Sequence, residues 1–509
     1  MKSLFRAGNG IAAALALAVL FMSAILPAGC VVGPSFRRPP APKTSRYTAK
    51  ALPEKTQSSP VAGGGAQYFK QGKEMPPRWW RLFHCPPLDR LERLALARNQ
   101  TLVAAQAALR EAYENKRAQS GALLYPQIDA KVSGVRQKFS GAAFGQPGQP
   151  GIIFNLFNVS ATVSYLFDLF GGSRRQLEAL GAQVDYQRFQ LEGAYIALTA
   201  NVATTAMQEA SLRAQIAVTK EMLADQEAQL RIVERQLALG GASLSDVLAQ
   251  KTQVAQTRAG LPPLEKALSV ARHQIAVLAG VLPGSSGGLP VMDIERLKLP
   301  RRLPLSLPSV LVRRRPDIRA SEALLHAASA QIGVATANLL PQLTFSGSIG
   351  TETTKVEDLF GNNTSVWSLG MSLLQPLFHG GELLAKRRAA VDAYEQALAQ
   401  YQETVLQAFQ NVADVLRALD RDASALKAQA QAWAASKASM EVTSKQYRLG
   451  AVSYLQLLNA ERQYQQTRIS LVQARAARLA DTAALFQALG GGWWKRAAGT
   501  GADALARGK

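Results

Sequence analysis

Val159-Ser160-Ala161-Thr162-Val163-Ser164-Tyr165-Leu166-Phe167 alternates apolar with mostly polar side chains, residue by residue. A period of two predicts a β-strand with one apolar and one mostly polar face. Its partner is placed at residues 127–138, joined through the Gly- and Pro-rich stretch 141–151. The pattern returns where Leu343, Phe345, Gly347 and Ile349 alternate with Thr344, Ser346 and Ser348. It returns again where Trp367, Leu369, Met371 and Leu373 alternate with Ser368, Gly370 and Ser372. The chain thus carries two hairpins with strands of roughly ten residues, the length and alternation of a strand that crosses an outer membrane. Four strands cannot close a barrel, because about eight is the smallest number whose interior can be filled. Left open, such a sheet would expose two unpaired edges and a broad apolar face. In lipid every backbone group must be paired, so several copies of the chain must contribute strands to one barrel. Two copies give eight strands and three give twelve; a helical cylinder wide enough to meet the barrel favours three.

Outside the hairpins the period changes. Leu384, Val391, Leu398, Val405, Val412 and Leu419 recur every seven residues, and Leu177, Val184, Leu191, Leu198, Thr205 and Leu212 do the same. These are coiled-coil seams, and a strict seven-residue repeat predicts left-handed supercoiling. The runs, Ser173 to Leu239 and Gly381 to Leu449, are each about 100 Å long at the α-helical rise. A further helix is predicted from Leu88 to about Gln119, ending at Tyr125-Pro126. Leu177 and Leu384 stand 207 residues apart, Gly240 and Gly450 stand 210 apart, and Tyr125-Pro126-Gln127 recurs as Leu340-Pro341-Gln342. The chain is an internal duplication, each half being hairpin, long helix, tight glycine turn and returning helix. The fold class is therefore mainly α with a small β part.

The chain has 509 residues and 58 Lys plus Arg against 36 Asp plus Glu, a net charge of +22. Its only long apolar run is Ile11 to Leu26, behind Lys2 and Arg6 and ahead of Ala28-Gly29-Cys30, so a bundle of transmembrane helices is excluded. The run reads as an export signal, residues 1–29, with lipidation at Cys30. Pro27 stands where such signals usually carry Leu. With Cys30 acylated, Cys85 has no disulfide partner, and the fold must stand on packing. Residues 30–87, rich in Pro and Gly, form an arm or linker. The first repeat then covers 88–282, a linker 283–308, the second repeat 309–490 and a tail 491–509.

Dispersed motifs now converge: Cys30-Val31-Val32-Gly33-Pro34, Trp79-Trp80 with Leu88-Asp89, Asp168-Leu169-Phe170-Gly171, Arg314-Arg315-Pro316-Asp317-Ile318, Gln375-Pro376-Leu377-Phe378, Arg448-Leu449-Gly450 and Leu489-Gly490-Gly491-Gly492-Trp493. In this order they resemble the TolC-like outer-membrane factors, in the lipoprotein (NodT-type) branch that serves resistance-nodulation-division efflux pumps. The resemblance implies a homotrimer with a 12-stranded membrane β-barrel, four strands per chain, continuing into a trimeric helical barrel. It also implies docking on a periplasmic adaptor and an inner-membrane transporter, export of drugs or metal ions, and no cofactor. By the same resemblance Leu239, Gly240, Arg448, Leu449 and Gly450 lie at adaptor-docking tips. Leu455, Asn459 and Arg462, on one helix face, match a periplasmic constriction. Relatives often carry aspartate where this chain has Asn459, and three amides cannot attract cations as three carboxylates do. Asp246 and Tyr447 match a pair that hydrogen-bonds the closed state; an arginine that reinforces it in the family is Val452 here.

Other classes fare worse. His84, His273, His326 and His379 are far apart, with no H-E-x-x-H, P-loop or Gly-x-Ser-x-Gly motif, so neither a catalytic nor a metal site is assigned. The positive charge is spread along helices amid acidic residues, and an exported chain does not meet nucleic acid. Arg174, Arg175, Lys386, Arg387 and Arg388 follow the strands closely, the place for phospholipid headgroups. A purely structural envelope coiled coil has no need of amphipathic hairpins. The exit duct of a protein-secretion system shares the architecture and is the nearer alternative.

Overall fold

The computed structural model describes residues 31–140, 142, 145, 148 and 150–494; the export signal, Cys30 and most of the tail lie outside these residues. The elements run β1 (Tyr68–Gln71), α1 (Pro86–Arg98), α2 (Gln100–Leu124), β2 (Gln127–Phe139), β3 (Ile152–Phe167), α3 (Gly172–Ala238) and α4 (Leu244–Leu278). They continue with β4 (Arg302–Leu305), α5 (Pro308–Arg314), α6 (Pro316–Ala337), β5 (Gln342–Thr353), β6 (Ser365–Leu374), α7 (Glu382–Arg448) and α8 (Tyr454–Ala488). Both long helices have 67 residues. Among the described residues no helix is long and apolar enough to cross a membrane.

The chain forms two compact units. One, built from the segments before Arg38, Arg110–Tyr186 and Ser321–Tyr401, carries the sheet. Its strands pair antiparallel in the order β2-β3-β5-β6. The register puts Ile128, Ala130 and Val132 on the same face as Val163, Ala161 and Val159, and these beside Gly347, Ile349 and Thr351. The apolar alternation read from sequence is thus one continuous face. Three strands exceed ten residues: β5 has 12, β2 has 13 and β3 has 16. The alternation hides this because Asn155 and Asn158 interrupt it while the backbone ladder continues to Phe139↔Ile152.

In the other unit, Trp79, Trp80, Phe83, Leu88 and Leu91 pack with Phe486 of α8 into a core that excludes water. Each such side chain contributes roughly 1.5–3 kcal/mol by burial. The Trp80 indole donates to Asp89 at 3.0 Å, which satisfies its buried N–H. Arg478, 1% exposed, donates to the carbonyls of Gly63 and Gly65 and to Thr56 Oγ1, fastening the arm to α8. The arm also supplies β1, which runs parallel to β4. The single helix expected from Leu88 is two: Asn99 is extended at ψ 124°, its side chain accepting from the Leu102 N–H and donating to the Leu278 carbonyl. A side chain that caps a new helix start outcompetes continuation of the old one. Arg315 is buried just before Pro316 starts α6; it donates to Asp317 and to the carbonyls of Ala408 and Ala488.

Candidate functional site

The two tight turns between long and returning helices are built alike. Gly240 and Gly450 are left-handed at φ 77° and 73°. The Gly240 N–H donates to the Leu237 carbonyl and the Gly241 N–H to that of Gln236; Gly450 and Ala451 repeat this on Tyr447 and Gln446. This is the glycine-terminated helix end that satisfies the last carbonyls, and a side chain at φ > 0 would strain it. Ser243 and Asp246 then open α4, and Ser453 and Gln456 open α8, each pair as a reciprocal capping box. Leu239 and Leu449 project into solvent at 81% and 84% exposure, with Arg448 exposed beside them. Behind the turns Val233, Val247, Tyr454 and Leu457 form a small buried cluster, so four helix ends are packed together.

Leu455, Asn459 and Arg462 are all exposed, on one face of α8. Asp246 and Tyr447 are placed differently from a hydrogen-bonded pair. Asp246 commits its carboxylate to the helix start, accepting from the Ser243 N–H at 3.0 Å and the Ser243 hydroxyl at 2.6 Å. Tyr447 donates weakly to Gln236 at 3.4 Å. Burial raises the Tyr447 phenol above its usual range and the Asp246 charge adds to it, so within one chain the two interact through charge. The capping role was legible as Ser243 followed three residues later by an acid.

A polar link behind this turn leaves no trace in local residue spacing. Tyr454 donates to Gln250 Oε1 at 2.6 Å, and Gln250 donates to the Gln226 carbonyl, joining α8, α4 and α3. Glu461 of α8 is carried up to about 7 by burial and then by the charge of Asp225. Residues some two hundred positions apart meet here, and no local spacing records that.

Near the sheet, the segment after residue 30 is tied down. The Val32 N–H donates to the Phe170 carbonyl, and Arg175 donates to the carbonyls of Val32 and Gly33 and to Glu178. Phe36 stacks on His326 at 4.4 Å, His326 meets Glu178 at 2.8 Å, and Arg38 pairs with Glu322. Burial raises the Glu178 carboxyl, but the hydrogen bonds and charges of His326 and Arg175 outweigh it, leaving it below the usual range. Arg174 pairs with Asp168, and Lys386 with Glu382. Among the described residues no group of three His, Cys, Asp or Glu side chains is placed to hold a metal ion.

The sequence matches the profile of outer membrane efflux proteins over residues 91–281 and 307–491. It is 33% identical to the pyoverdine export outer membrane protein OpmQ of Pseudomonas aeruginosa, over 82% of this chain and 87% of that protein. It is 28% identical to the probable efflux pump outer membrane protein TtgC of Pseudomonas putida, over 94% of this chain and 96% of that protein. Among solved structures the outer-membrane channel OprN superposes with a TM-score of 0.80 at 27% identity, covering 91% of this chain and 100% of that one.

Proposed function

Because the chain belongs to the outer membrane efflux protein family, we propose that it is the exit duct of a tripartite efflux pump, carrying small solutes such as drugs or metal ions from a periplasmic transporter complex to the exterior. Its place is the outer membrane. Three copies contribute four strands each to a 12-stranded barrel, and their long helices form the periplasmic tunnel. Acylation of Cys30 anchors the chain in the inner leaflet. Its signal peptide 1–29, arm 30–87, linker 283–308 and tail 491–509 flank the two repeats, 88–282 and 309–490. The glycine tips, with Leu239, Gly240, Arg448, Leu449 and Gly450, dock a periplasmic adaptor, and Leu455, Asn459 and Arg462 line the constriction. Asp246 and Tyr447 contribute to closure across neighbouring helix pairs. The inner-membrane partner is a resistance-nodulation-division transporter. No cofactor or catalytic step is assigned.

The observation that carries this reading is the sheet. Its apolar face is exposed, with Ile128, Val132, Ile349, Trp367 and Leu369 each at least 68% accessible, and among the described residues β2 and β6 are the outer strands of the sheet. Such a face suits lipid, and such edges suit a ring of copies. Single-channel recording in planar bilayers tests it. A low resting conductance that rises in Asp246→Ala with Tyr447→Phe supports a gated duct. An absence of conductance from correctly exported protein favours an envelope coiled coil.

A further inference from the structure

The two hairpins meet through β3 and β5, and that inner seam carries information about a seam that one chain cannot make. In the inner seam Val163 stands opposite Gly347, Tyr165 opposite Phe345 and Ala161 opposite Ile349. Ser164-Tyr165-Leu166 and Leu169-Phe170 recur 208 residues later as Ser372-Leu373-Leu374 and Leu377-Phe378. Tyr125-Pro126-Gln127 recurs 215 residues later as Leu340-Pro341-Gln342. By the duplication β6 is therefore the counterpart of β3, and β2 the counterpart of β5.

We propose that β6 pairs antiparallel with β2 of a second copy in the register that the inner seam already uses. Met371 then lies opposite Val132 of the partner subunit, Leu373 opposite Ala130 of the partner subunit, and Leu369 opposite Gly134 of the partner subunit. This rests on the reading that copies of the chain share one barrel, and adds to it the residues that meet.

The register keeps the faces. Leu369, Met371 and Leu373 share the apolar face of the sheet with Gly347, Phe345 and Leu343, and Ala130, Val132 and Gly134 share it through β3. A slip of one residue would turn every apolar side chain of one strand toward the polar face. Trp367 falls opposite Arg136 of the partner subunit, a pair suited to a cation over an indole at the membrane rim.

The register also closes a ring at a sound tilt. Val132, Val159, Thr351 and Ser365 form one row across the chain. The proposed seam takes Ser365 to Lys138 of the partner subunit, so the register advances about six residues per copy and about 18 around three, as closure by shear requires. That is roughly 59 Å along the strands against roughly 58 Å across twelve strand spacings, a tilt of about 45°. Outer-membrane strands tilt by about 35–45°. A slip of two residues in one sense would give about 54°, outside that range, and in the other about 35°, within it. The edge strands are accessible: all of β6 and nearly all of β2 are exposed, whereas β3 and β5 are largely half-buried.

Disulfide trapping in the full-length exported chain separates these cases. Opposite residues have Cα atoms about 4.5–5.5 Å apart, within disulfide reach, while diagonal neighbours at about 7–8 Å are not. Met371→Cys with Val132→Cys is oxidised in isolated outer membranes and compared with Met371→Cys paired with Ala130→Cys or with Gly134→Cys. Each variant is first checked for export and, by native mass in mild detergent, for assembly. The proposed register yields covalent trimer on the order of tenfold more readily for the first pair than for either slipped pair. A trimer that cross-links best through Ala130 or Gly134, or through none of the three, overturns the register and leaves the shared barrel standing. A properly exported wild-type chain that is monomeric overturns both.

Discussion

The two strand-to-helix junctions are copies of one sequence and have different surroundings. At Leu169-Phe170-Gly171-Gly172 the arm lies over the turn: Val32 donates to the Phe170 carbonyl, and a Cβ on Gly171 would come within 2.9 Å of Val31. At Leu377-Phe378-His379-Gly380-Gly381 no described residue lies within 4 Å of either glycine's missing Cβ, and Leu377 and Phe378 are 91% and 86% exposed. The local instruction is shared. Gly171 and Gly381 sit at φ 79° and 83°, and each accepts the first helical N–H, from Arg175 and from Ala385. What differs is the side chain one turn on: Arg175 reaches the arm's carbonyls, and Ala385 has nothing with which to reach. Duplication copies backbone geometry faithfully, whereas a chain has only one N-terminal segment to cover one of the two copies.

The sharpest way to break this comparison is to fill both glycines. Gly171→Ala carries the left-handed cost of about 1–2 kcal/mol plus about 1–3 kcal/mol for crowding the arm, whereas Gly381→Ala carries the first cost alone. Thermal unfolding of the two purified variants should therefore separate them, and equal losses would mean that the arm does not pack on the first junction. Next in size, Arg175→Ala removes a buried guanidinium with three partners and should cost about 3 kcal/mol. Limited proteolysis should then cut within residues 31–45 faster than in the wild-type chain. The low Glu178 carboxyl adds a pH dependence of known sign: its contribution is present above the ordinary glutamate range and fades as pH falls through the lowered value, so acid should loosen the arm.

The returning helices sharpen the same point. Lys251 pairs in the open with Glu234, while its counterpart Glu461, 210 residues on, is buried beside Asp225 and carried up to about 7. A raised carboxyl favours the fold below the ordinary glutamate range, and that advantage is lost as pH rises toward 7. Glu461→Gln should remove this slope and gain about 2 kcal/mol at pH 8, read from melting curves between pH 4 and 8. Smallest are the caps: Asp246→Ala should cost about 1 kcal/mol, and Gln456→Ala less, since a carboxylate at a helix N-terminus also meets the helix dipole.

Periodicity made the strands, the long helices and the glycine turns legible, because each follows from neighbours within a few residues. The split at Asn99 was missed because the carbonyl that holds it, that of Leu278, is 179 residues away. The β1–β4 pair and the fastening of the arm by Arg175 and Arg478 were missed for the same reason, as was the link from Tyr454 to Gln250. The tips and the exposed face of Leu455, Asn459 and Arg462 came from resemblance joined to helical spacing. Asp246 shows the limit of resemblance alone: its most definite role within the chain, capping α4, is local and was written in the sequence.

Three chains sharing one barrel is the claim on which the rest depends, and the native mass of the protein extracted from outer membranes in mild detergent tests it most directly. A particle three times the mass of the mature chain, persisting on dilution, is the predicted result. A monomer that keeps its secondary structure under the same conditions would contradict it, because a stable single chain would have no use for two open strand edges.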